Sequence, residues 1–600
     1  MNTTLRYWEY YNMQKLFDEL YEGSKQGRNF NNLYEMIVNE NNILLAYRTI
    51  KSNKGSKTPG TDGFVIDNYK SMEKEVFIQF IKKQLLQYKP KAVRRVWIPK
   101  PNGDKRPLGI PTMLDRLVQQ MIKQVLEPVC EARFYEHSYG FRPLRSTRHA
   151  ISRVMFLINN SHFHYAVDID IKGFFDNVNH TLLLKQLWNM GIRDKRVLKI
   201  IYKILKTPIK GFGVPDKGAP QGGILSPLLS NIVLNDLDQW IAGQWHHFKT
   251  KNSYANRANH KRALKTTKLK EGFIVRYADD FKILAKDYRT AVKWFHAVKL
   301  YLKDRLKLDI SPEKSKIINL RKKKSEFLGY TIFAVRKRKD WVCNTGISEK
   351  KKKEIKRGIK ERLKRIQQST IAQNVRLYNS FILGLHNYFR YVTHVNIEMK
   401  KIAFDLSKTK YNRLKSIGSK EAPINAPPVY KKLYKNNYQT FKVCDIYLYP
   451  LQDIQTKTIW NFSQDKTLYT EKGRDKLKQR NLGNAVRREI EKLLCATIPN
   501  RTMEYMDNRI SRYSMRMGKC EILKEFLYAS EVHCHHYIPI RLGGADDYDN
   551  LRIIHYKVHK LIHATTKQTI SKYLRELDLG TEQLAKINQY RKACNLIEIS

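Results

Sequence analysis

The chain has 600 residues, of which 42% are hydrophobic, so it can form several packed domains and is not an intrinsically disordered protein. Its 112 Lys and Arg against 56 Asp and Glu give a formal net charge of +56, which favours a polyphosphate partner over a membrane surface. No apolar run approaches the roughly 20 residues of a membrane span, and the seven scattered cysteines form no CxxC pair, which argues against a disulfide framework.

The first part of the chain, to about residue 340, alternates strand-like and helix-like stretches with Gly- and Pro-rich turns such as TPGTDG and GAPQGG. This alternation predicts an α+β body. The N-terminal stretch has neither the basic-then-apolar order of a signal peptide nor the acid-poor bias of a transit peptide. Together with the cysteine usage, it places the chain inside a cell, in the bacterial cytoplasm or an organelle.

Acidic residues interrupt a predicted strand at 165–176, YAVDIDIKGFFD. Asp168 and Asp170 share one face of that strand by its period of two, while Ile169 and Ile171 share the other. Asp176 follows at its end. A pair of carboxylates on one face is the kind of arrangement that holds a cation.

A second acidic pair lies in FIVRYADDFKILA, residues 273–285, which otherwise has the composition of one strand. Asp279 and Asp280 are costly there, because ionised groups among buried apolar side chains lose hydration. A water-exposed position would remove that cost, and so would a cation that both carboxylates face. Metal-dependent phosphoryl transfer needs such acids, since it uses two cations about 4 Å apart.

From residue 347 the pattern changes to helical spacing with a heavily basic face, ISEKKKKEIKRGIKERLKRI, which indicates either a solvated helix pair or a nucleic-acid clamp. The Pro-bearing stretch 421–430 is a candidate linker. A second basic segment runs to about 515.

The C-terminal region is rich in histidine, with HCHHYIPIRLGG at 533–544 and HKLIH at 559–563. His559 and His563 are four residues apart and therefore share one helix face, where they can bind one cation. His535 and His536 precede a GG turn, and Asn550 lies between the two histidine groups. The alternatives are a zinc-stabilised fold and a coincidental cluster of imidazoles.

Three motifs in order, VDIDIKGFFD, GAPQGGILSPLLSN and RYADDF, resemble the palm motifs of reverse transcriptases, most of all those encoded by group II introns. The resemblance implies a right-hand polymerase with two Mg²⁺ ions. It implies metal contacts at Asp170, Ile171 and Asp279, with Asp280 as the adjacent catalytic acid.

The same resemblance implies six substrate-binding residues. RRVWIPKPNGDKRPLGIP (94–111) is similar to a fingers strand pair that meets the incoming triphosphate, although a solvated hairpin with surface cations would have the same composition. An aromatic residue after the first metal ligand would exclude a ribose 2′-OH, and HSYGFRPLRSTRHA (137–150) would face nucleotide or template. The six residues are Lys100, Arg106, Arg142, Phe175, Gln221 and Lys314.

The histidine region closely resembles the HNH, or ββα-metal, nucleases. The resemblance implies that His535, His559 and His563 bind one divalent cation, that His536 is the general base, and that Asn550 orients it. Many intron-encoded relatives flank this motif with CxxC pairs. Only Cys520 and Cys534 lie nearby here, so a structural zinc is not expected.

These features predict an α+β multidomain protein. Its expected parts are fingers and palm with an N-terminal extension (1–345), a helical thumb or maturase domain (346–425), a small DNA-binding region (426–515) and an HNH domain (516–600). The implied function is that of a group II intron reverse transcriptase and maturase, which binds intron RNA, assists splicing, nicks target DNA and copies the RNA from that nick with dNTPs. No membrane partner is expected, and a homodimer is compatible with the sequence. The alternative is a non-catalytic RNA-binding splicing factor that keeps the polymerase fold as a scaffold.

Overall fold

A computed structural model describes residues 3–99, 105–477, 483–496, 498–499 and 501–599, without the side chain of Arg257. The predicted triphosphate contact Lys100 lies outside the described residues. Within these ranges, no helix is both long enough and apolar enough to cross a membrane.

Helices dominate the described part of the chain, and short antiparallel sheets accompany them. The α-helices, in chain order, are α1 (Thr3–Tyr10), α2 (Gln14–Lys25), α3 (Leu33–Ile37), α4 (Glu40–Lys51), α5 (Asp67–Lys70), α6 (Lys74–Leu86), α7 (Met113–Glu131), α8 (Thr147–Ser161), α9 (Phe174–Asn177), α10 (His180–Asn189), α11 (Lys195–Leu205), α12 (Ser226–Gln244), α13 (Arg257–Lys265), α14 (Tyr288–Asp304), α15 (Glu349–Gln368), α16 (Ala372–Phe389), α17 (Val395–Asp405), α18 (Ser407–Leu414), α19 (Pro428–Leu433), α20 (Glu471–Asp475), α21 (Asn484–Cys495), α22 (Met503–Met515), α23 (Tyr556–His563), α24 (Lys567–Leu577) and α25 (Thr581–Ala593). The strands are β1 (Arg94–Pro99), β2 (Lys105–Ile110), β3 (Tyr165–Ile169), β4 (Phe273–Tyr277), β5 (Asp280–Ala285), β6 (Lys316–Asn319), β7 (Ser325–Phe327), β8 (Tyr330–Lys337), β9 (Asp340–Ile347), β10 (Ser419–Glu421), β11 (Thr440–Val443), β12 (Ile446–Tyr447), β13 (Val532–His536) and β14 (Leu551–His555).

The chain divides into two compact units that are both discontinuous in sequence. The first unit comprises Met1–Phe134, Gly173–Val233 and Gln464–Ser600, and the second comprises Tyr135–Lys172 and Leu234–Ser463. The protein is therefore a mixed helix and strand multidomain chain, as predicted.

An antiparallel four-stranded sheet in the order β4-β5-β3-β6 organises the second unit. The apolar residues of β3, Ala166, Val167 and Ile169, are buried in it. Helix α14 packs against β3 and β5, and α8 packs against β4. This sheet carries both acidic motifs of the sequence.

The interpretation of residues 273–285 as one strand is wrong. They form a hairpin of β4 and β5, whose last pair is Tyr277 with Asp280. Ala278 opens the turn with a φ of 57°, in the left-handed region that costs a residue with a Cβ atom free energy. The turn places Asp279 outside the strands and Asp280 at the first position of β5, and both residues are exposed, which removes part of the burial cost that a single strand would impose.

A fully buried ion pair fixes this hairpin. The side chains of Arg276 in β4 and Asp238 in α12 are both 0% exposed, and Arg276 Nη2 lies 2.6 Å from Asp238 Oδ2. The Arg276 Nε group donates to both carboxylate oxygens at 2.9 Å. Its Nη1 group donates to the carbonyl oxygen of Ala278 at 2.8 Å, so the guanidinium joins α12 to the turn itself.

Helices follow the sheets in the second unit, and they confirm the predicted change to helical spacing after residue 346. Helix α15 buries Ile355, Ile359, Leu363 and Ile366 on one side and packs against α16 and α18. The proposed linker at 421–430 is wrong, because Tyr430 is buried in an aromatic cluster inside the same unit. Its prolines begin α19 instead of joining two domains.

In the first unit, α4 from the N-terminal stretch contacts α22 from the C-terminal stretch. Arg48 Nη1 and Lys51 Nζ of α4 lie 2.7 Å and 3.0 Å from Asp507 Oδ2 of α22. Near the C-terminus, β13 and β14 pair antiparallel and lead into α23, which is the ββα order predicted for an HNH domain.

The buried pair in the second unit allows a stability test. Replacing Asp238 with Ala leaves the Arg276 guanidinium buried without its counter-charge, so we expect a loss of about 3–5 kcal/mol in the free energy of unfolding. Glu271→Ala is the matched control, since Lys286 Nζ lies 3.2 Å from Glu271 Oε2 in a partly exposed pair, and its expected cost is about 0–1 kcal/mol. Urea unfolding followed by circular dichroism measures both, and equal losses would contradict the role given to Arg276.

Candidate active sites

Asp170 and Asp279, two of the predicted metal ligands, lie in the second unit. Asp170 directly follows β3, and Asp279 lies in the turn between β4 and β5. The β3–β5 register pairs Asp168 with Lys282 and Ile169 with Phe281. Asp170 directly follows Ile169 and Asp280 directly precedes Phe281, so both lie at the same end of the sheet. Asp279 precedes Asp280 in the turn, so the register gathers all three predicted acids at one end of the sheet.

The electrostatics of these acids suit a divalent cation. Part of the Asp280 side chain meets solvent, yet the protein around its carboxyl removes water from it. This desolvation, with repulsion from Asp168 and Asp279, raises the pKa of Asp280 to about 6, against the attraction of Lys282. Carboxylate oxygens are the ligands that hard divalent cations take, and a bound cation would relieve the repulsion.

Asp168, on the same strand face as Asp170, has a different partner. The buried Lys282 Nζ lies 2.7 Å from Asp168 Oδ1 and donates to Ser325 Oγ at 2.7 Å. Ser325 Oγ in turn donates to Asp168 Oδ2 at 2.8 Å. Asp168 is therefore neutralised within the sheet, which leaves Asp170, directly after β3, as the candidate metal ligand of this segment.

The segment after α14 holds Asp170 in place. Ser311 N donates to the carbonyl oxygen of Asp170 at 2.7 Å, and Asp170 N donates to Ser315 Oγ at 3.1 Å. Lys314 Nζ lies 3.4 Å from Asp170 Oδ2, with both side chains largely exposed. Ile171 is buried, and since its side chain has no donor atom, only its main-chain carbonyl could contact a metal. The substrate role of Lys314 stays a prediction.

Arg142 was expected to face nucleotide or template, and the structure corrects this. Its side chain is buried, and its Nη1 group donates to the carbonyl oxygens of Tyr135 and Ser138 at 2.6 Å and 2.9 Å. Arg142 therefore braces the loop that it belongs to. The sequence could not separate these roles, because the same arginine can bind phosphate or cap a buried loop.

That loop presses against the acidic turn. Tyr139 N donates to the carbonyl oxygen of Arg276 at 2.9 Å, and Arg276 N donates to that of His137 at 3.1 Å. A Cβ atom on Gly140 would overlap the main-chain nitrogen of Ala278 and would lie 2.9 Å from the carbonyl carbon of Tyr277. Only glycine allows this close approach.

Three predicted substrate residues lie in the first unit, on segments that contact one another. Ala219 N donates to the carbonyl oxygen of Phe175 at 2.7 Å, and Gln221 Nε2 lies 3.5 Å from Asp176 Oδ1. Gly109 N in β2 donates to the carbonyl oxygen of Gln221 at 2.6 Å. Arg106 is exposed on that same strand. The structure thus joins the segments of Arg106, Phe175 and Gln221.

The histidines of the HNH-like region form one cluster, also in the first unit. His535 Nδ1 lies 3.4 Å from His563 Nε2. The His559 ring is centred 5.4 Å from that of His535 and 4.6 Å from that of His563. His533 stacks on His559 with ring centres 3.5 Å apart.

The cluster suits a metal. Burial, then repulsion from His563 and His533, lowers the pKa of His535 to about 3. The pKa of His559 is lowered to about 2, mainly by burial and secondly by charge repulsion from His533 and His563. Neutral imidazoles are the form that binds metal, and the buried Nε2 of His535 lacks a hydrogen-bond partner.

The predicted general base has a partner that the sequence reasoning missed. His536 Nε2 lies 2.7 Å from Asp546 Oδ1, and Asp546 also accepts at Oδ2 from Thr502 Oγ1 at 2.6 Å. Asn550 was expected to orient the base, but its amide binds the main chain at Ile538 and Ala545. Asn550 therefore closes the loop that carries Asp546, and Asp546 orients His536.

Two further residues support the histidine cluster. The buried Cys594 has its thiol close to the ligand atoms of His535 and His563, all within 4.8 Å of one another. Arg591 Nη1 donates to three carbonyl oxygens at the end of α23, those of Leu561, Ile562 and Ala564, at 2.8–3.0 Å. Both lie beyond the HNH motif, so its spacing gave no signal for them.

Comparisons with known proteins match both regions of the chain. Residues 98–332 match the family model for reverse transcriptase (RNA-dependent DNA polymerase), and residues 520–565 match that for HNH endonuclease. The chain is 34% identical to Protein YkfC of Escherichia coli (strain K12) over 301 residues, which cover 48% of this chain and 78% of that protein. It is 29% identical to group II intron-encoded protein LtrA of Lactococcus lactis subsp. cremoris over 460 residues, 65% of this chain and 75% of that one. Nuclear intron maturase 2, mitochondrial, of Arabidopsis thaliana is 29% identical over 170 residues, 21% and 23% of the two chains.

Gly140 offers a test of the packed turn. Gly140→Ala should displace Ala278 and with it Asp279, so we expect dNTP incorporation on a primed RNA to fall by about 10²-fold, the scale of a 1 Å misplacement. Gly384→Ala is the control, because a Cβ atom there meets nothing within 4 Å. Normal synthesis by the Gly140 variant would show that the close approach is not needed.

Asp546 can be tested through DNA nicking. Asp546→Asn keeps the shape but weakens a hydrogen bond to a charged group, typically about 1.5–3 kcal/mol, so we expect nicking to slow by roughly 10- to 100-fold. Asp547→Asn, at the exposed neighbouring acid, should nick at the parental rate. Metal content should be the same in both variants, and a parental nicking rate in Asp546→Asn would contradict its orienting role.

Proposed function

Since the chain belongs to the family of group II intron-encoded reverse transcriptases and carries an HNH endonuclease domain, we propose that it acts in intron splicing and mobility. It is an RNA-dependent DNA polymerase and a DNA endonuclease. It binds its own intron RNA, assists splicing, nicks one strand of a DNA target and copies the intron RNA from the nick.

The observation that carries the polymerase proposal is that β3 and β5 pair as far as Ile169 and Phe281, so Asp170, Asp280 and the turn residue Asp279 lie at the same end of the sheet. We assign the four-stranded sheet to a palm, β1 and β2 to fingers, and α15 to α18 to a thumb. The domain limits 1–345, 346–425, 426–515 and 516–600 are proposed in sequence order, since the compact units themselves are discontinuous.

In the polymerase, Asp170, Asp279 and the main-chain carbonyl of Ile171 would hold two Mg²⁺ ions. When bound, these cations activate the primer 3′-OH and stabilise the leaving pyrophosphate. The protein's own part is positioning: Ser311 and Ser315 fix the main chain of Asp170. Lys282 neutralises Asp168, so the carboxylates of Asp170 and Asp279 supply the negative charge for the cations.

The substrate residues act on the dNTP. Arg106 suits a triphosphate, since its guanidinium presents a fork of donors to phosphate oxygens. Phe175, which is half-buried and held through its carbonyl by Ala219, would exclude a 2′-OH by its volume. Gln221 lies in a glycine-flanked loop that lets main chain approach the nascent base pair.

In the endonuclease, His535, His559 and His563 would hold one divalent cation, which stabilises the leaving 3′ oxygen when bound. His536 accepts a proton from the attacking water, and the Asp546 carboxylate 2.7 Å away stabilises the imidazolium that forms. The nick leaves a 3′-OH on DNA, which is the primer that the polymerase needs.

A single variant separates polymerisation from splicing. Asp279→Ala should lower dNTP incorporation by about 10³-fold, because a lost metal ligand removes several kcal/mol of charge stabilisation. Splicing of the intron should continue at moderate salt, with RNA binding that weakens steeply as salt rises.

Asp304→Ala, at an exposed acid at the end of α14, is the control and should affect neither activity. If the folded Asp279 variant failed in splicing as completely as in synthesis, the separation would be wrong. If it polymerised at the parental rate, the site assignment would be wrong, and the chain would fit the non-catalytic splicing factor better.

A further inference from the structure

A second group of histidines lies in the second unit, and neither proposed activity uses it. We propose that Glu136, His137 and His246 bind a d-block divalent cation, with zinc as the best fit, at a structural site that braces the polymerase acids. The ligand atoms of these three residues all lie within 4.8 Å of one another.

The geometry centres on one carboxylate oxygen. Glu136 Oε1 lies 3.4 Å from His137 Nε2, 3.5 Å from His246 Nδ1 and 3.8 Å from His247 Nε2. Zinc bonds of about 2.0–2.1 Å in a tetrahedron separate neighbouring ligand atoms by roughly 3.3–3.4 Å. The two shortest separations already match that edge, and His247 lies outside the group of three whose ligand atoms are all within 4.8 Å of one another.

The surroundings orient these ligands in the way metal sites require. His137 Nδ1 lies 3.1 Å from the Tyr139 hydroxyl, a contact that fixes the ring while Nε2 faces Glu136. Arg145 Nη1 donates to the carbonyl oxygen of Glu136 at 2.8 Å and so holds the main chain. Tyr135 Oη lies 3.2 Å from His246 Nδ1, so cation binding must replace that hydrogen bond.

The cluster has two buried histidines on one side and two more exposed residues on the other. The side chains of His246 and His137 are 3% and 10% exposed, which keeps the imidazoles out of water. Those of His247 and Glu136 are 41% and 31% exposed, which leaves an entry path for an ion. An open side with two buried nitrogen ligands is what a site that fills after folding requires.

The donor set selects the metal. Imidazole nitrogens with a single carboxylate favour Zn²⁺ and its neighbours over Mg²⁺, which takes mainly oxygen ligands. The donor set therefore distinguishes the cation proposed here from the Mg²⁺ proposed for catalysis.

The position of the cluster gives it a role. His246 follows the end of α12, the helix that carries Asp238. The main chain of His137 and Tyr139 pairs with Arg276, two residues before Ala278. A cation shared by Glu136, His137 and His246 would thus fasten the end of α12 to the loop that grips the turn of Asp279 and Asp280.

The experiment uses the full-length chain with the HNH cluster silenced by His535→Ala and His563→Ala, because that cluster would also bind zinc. After dialysis against zinc and then against metal-free buffer with Mg²⁺, this protein should retain one equivalent of zinc by elemental analysis. Cobalt in place of zinc should give visible d–d bands. Zinc should raise the melting temperature by several degrees.

Two variants in that background identify the ligands. His246→Ala should lose the zinc, the cobalt bands and the zinc-dependent rise in melting temperature. Glu136→Gln has nearly the same shape and guards against a folding defect, and it should weaken zinc binding at least tenfold. His386→Ala, which removes another buried histidine of the same unit, should keep all three signals.

The proposal is overturned if the HNH-silenced protein retains no zinc, in which case the cluster is a metal-free hydrogen-bond network. It is also overturned if Glu136→Gln and His246→Ala both bind zinc as their parent does. Neither result depends on polymerase or nuclease activity, so the test stands apart from the proposed function.

Discussion

The buried pair of Arg276 and Asp238 is the interaction on which the acidic site depends. Two unit charges without solvent are costly, and the cost is offset only because the guanidinium binds both carboxylate oxygens and then the carbonyl oxygen of Ala278. Through that third bond, a contact inside the core sets the path of the main chain at the surface. Asp279 and Asp280 can therefore be held close together against their own repulsion, before any cation is bound.

Local patterns in the sequence predicted the elements well where one periodicity dominates. The face shared by Asp168 and Asp170 and the helix after residue 346 follow from side-chain periods alone. The hairpin at 273–285 did not, because its composition is strand-like on both sides of the turn and the left-handed Ala278 has no residue signature. What stabilises that turn, Gly140 and Arg276, acts through neighbours distant in sequence.

The site residues fall into two groups, those that motif spacing could identify and those that it could not. Motif spacing was enough to name Asp170, Asp279, His535 and His563. In the structure, the two aspartates lie at the same end of the sheet, and the two histidines have ring nitrogens 3.4 Å apart. It was not enough for Arg142, whose side chain turns inward, or for Asp546, which spacing could not distinguish from the acids beside it. Roles that depend on the direction of a side chain need the contacts of the folded chain.

The first unit is assembled from three separate stretches of sequence, and its N-terminal helices contact α22 through Arg48, Lys51 and Asp507. During synthesis, α4 leaves the ribosome long before α22 exists, so Asp507, the ion-pair partner of Arg48 and Lys51, is missing for most of translation. The second unit, by contrast, is complete once residue 463 has emerged. A nascent chain would thus hold the complete four-stranded sheet while α4 still lacks its ion-pair partner, and the HNH region joins the same compact unit as α4 instead of forming a separate one.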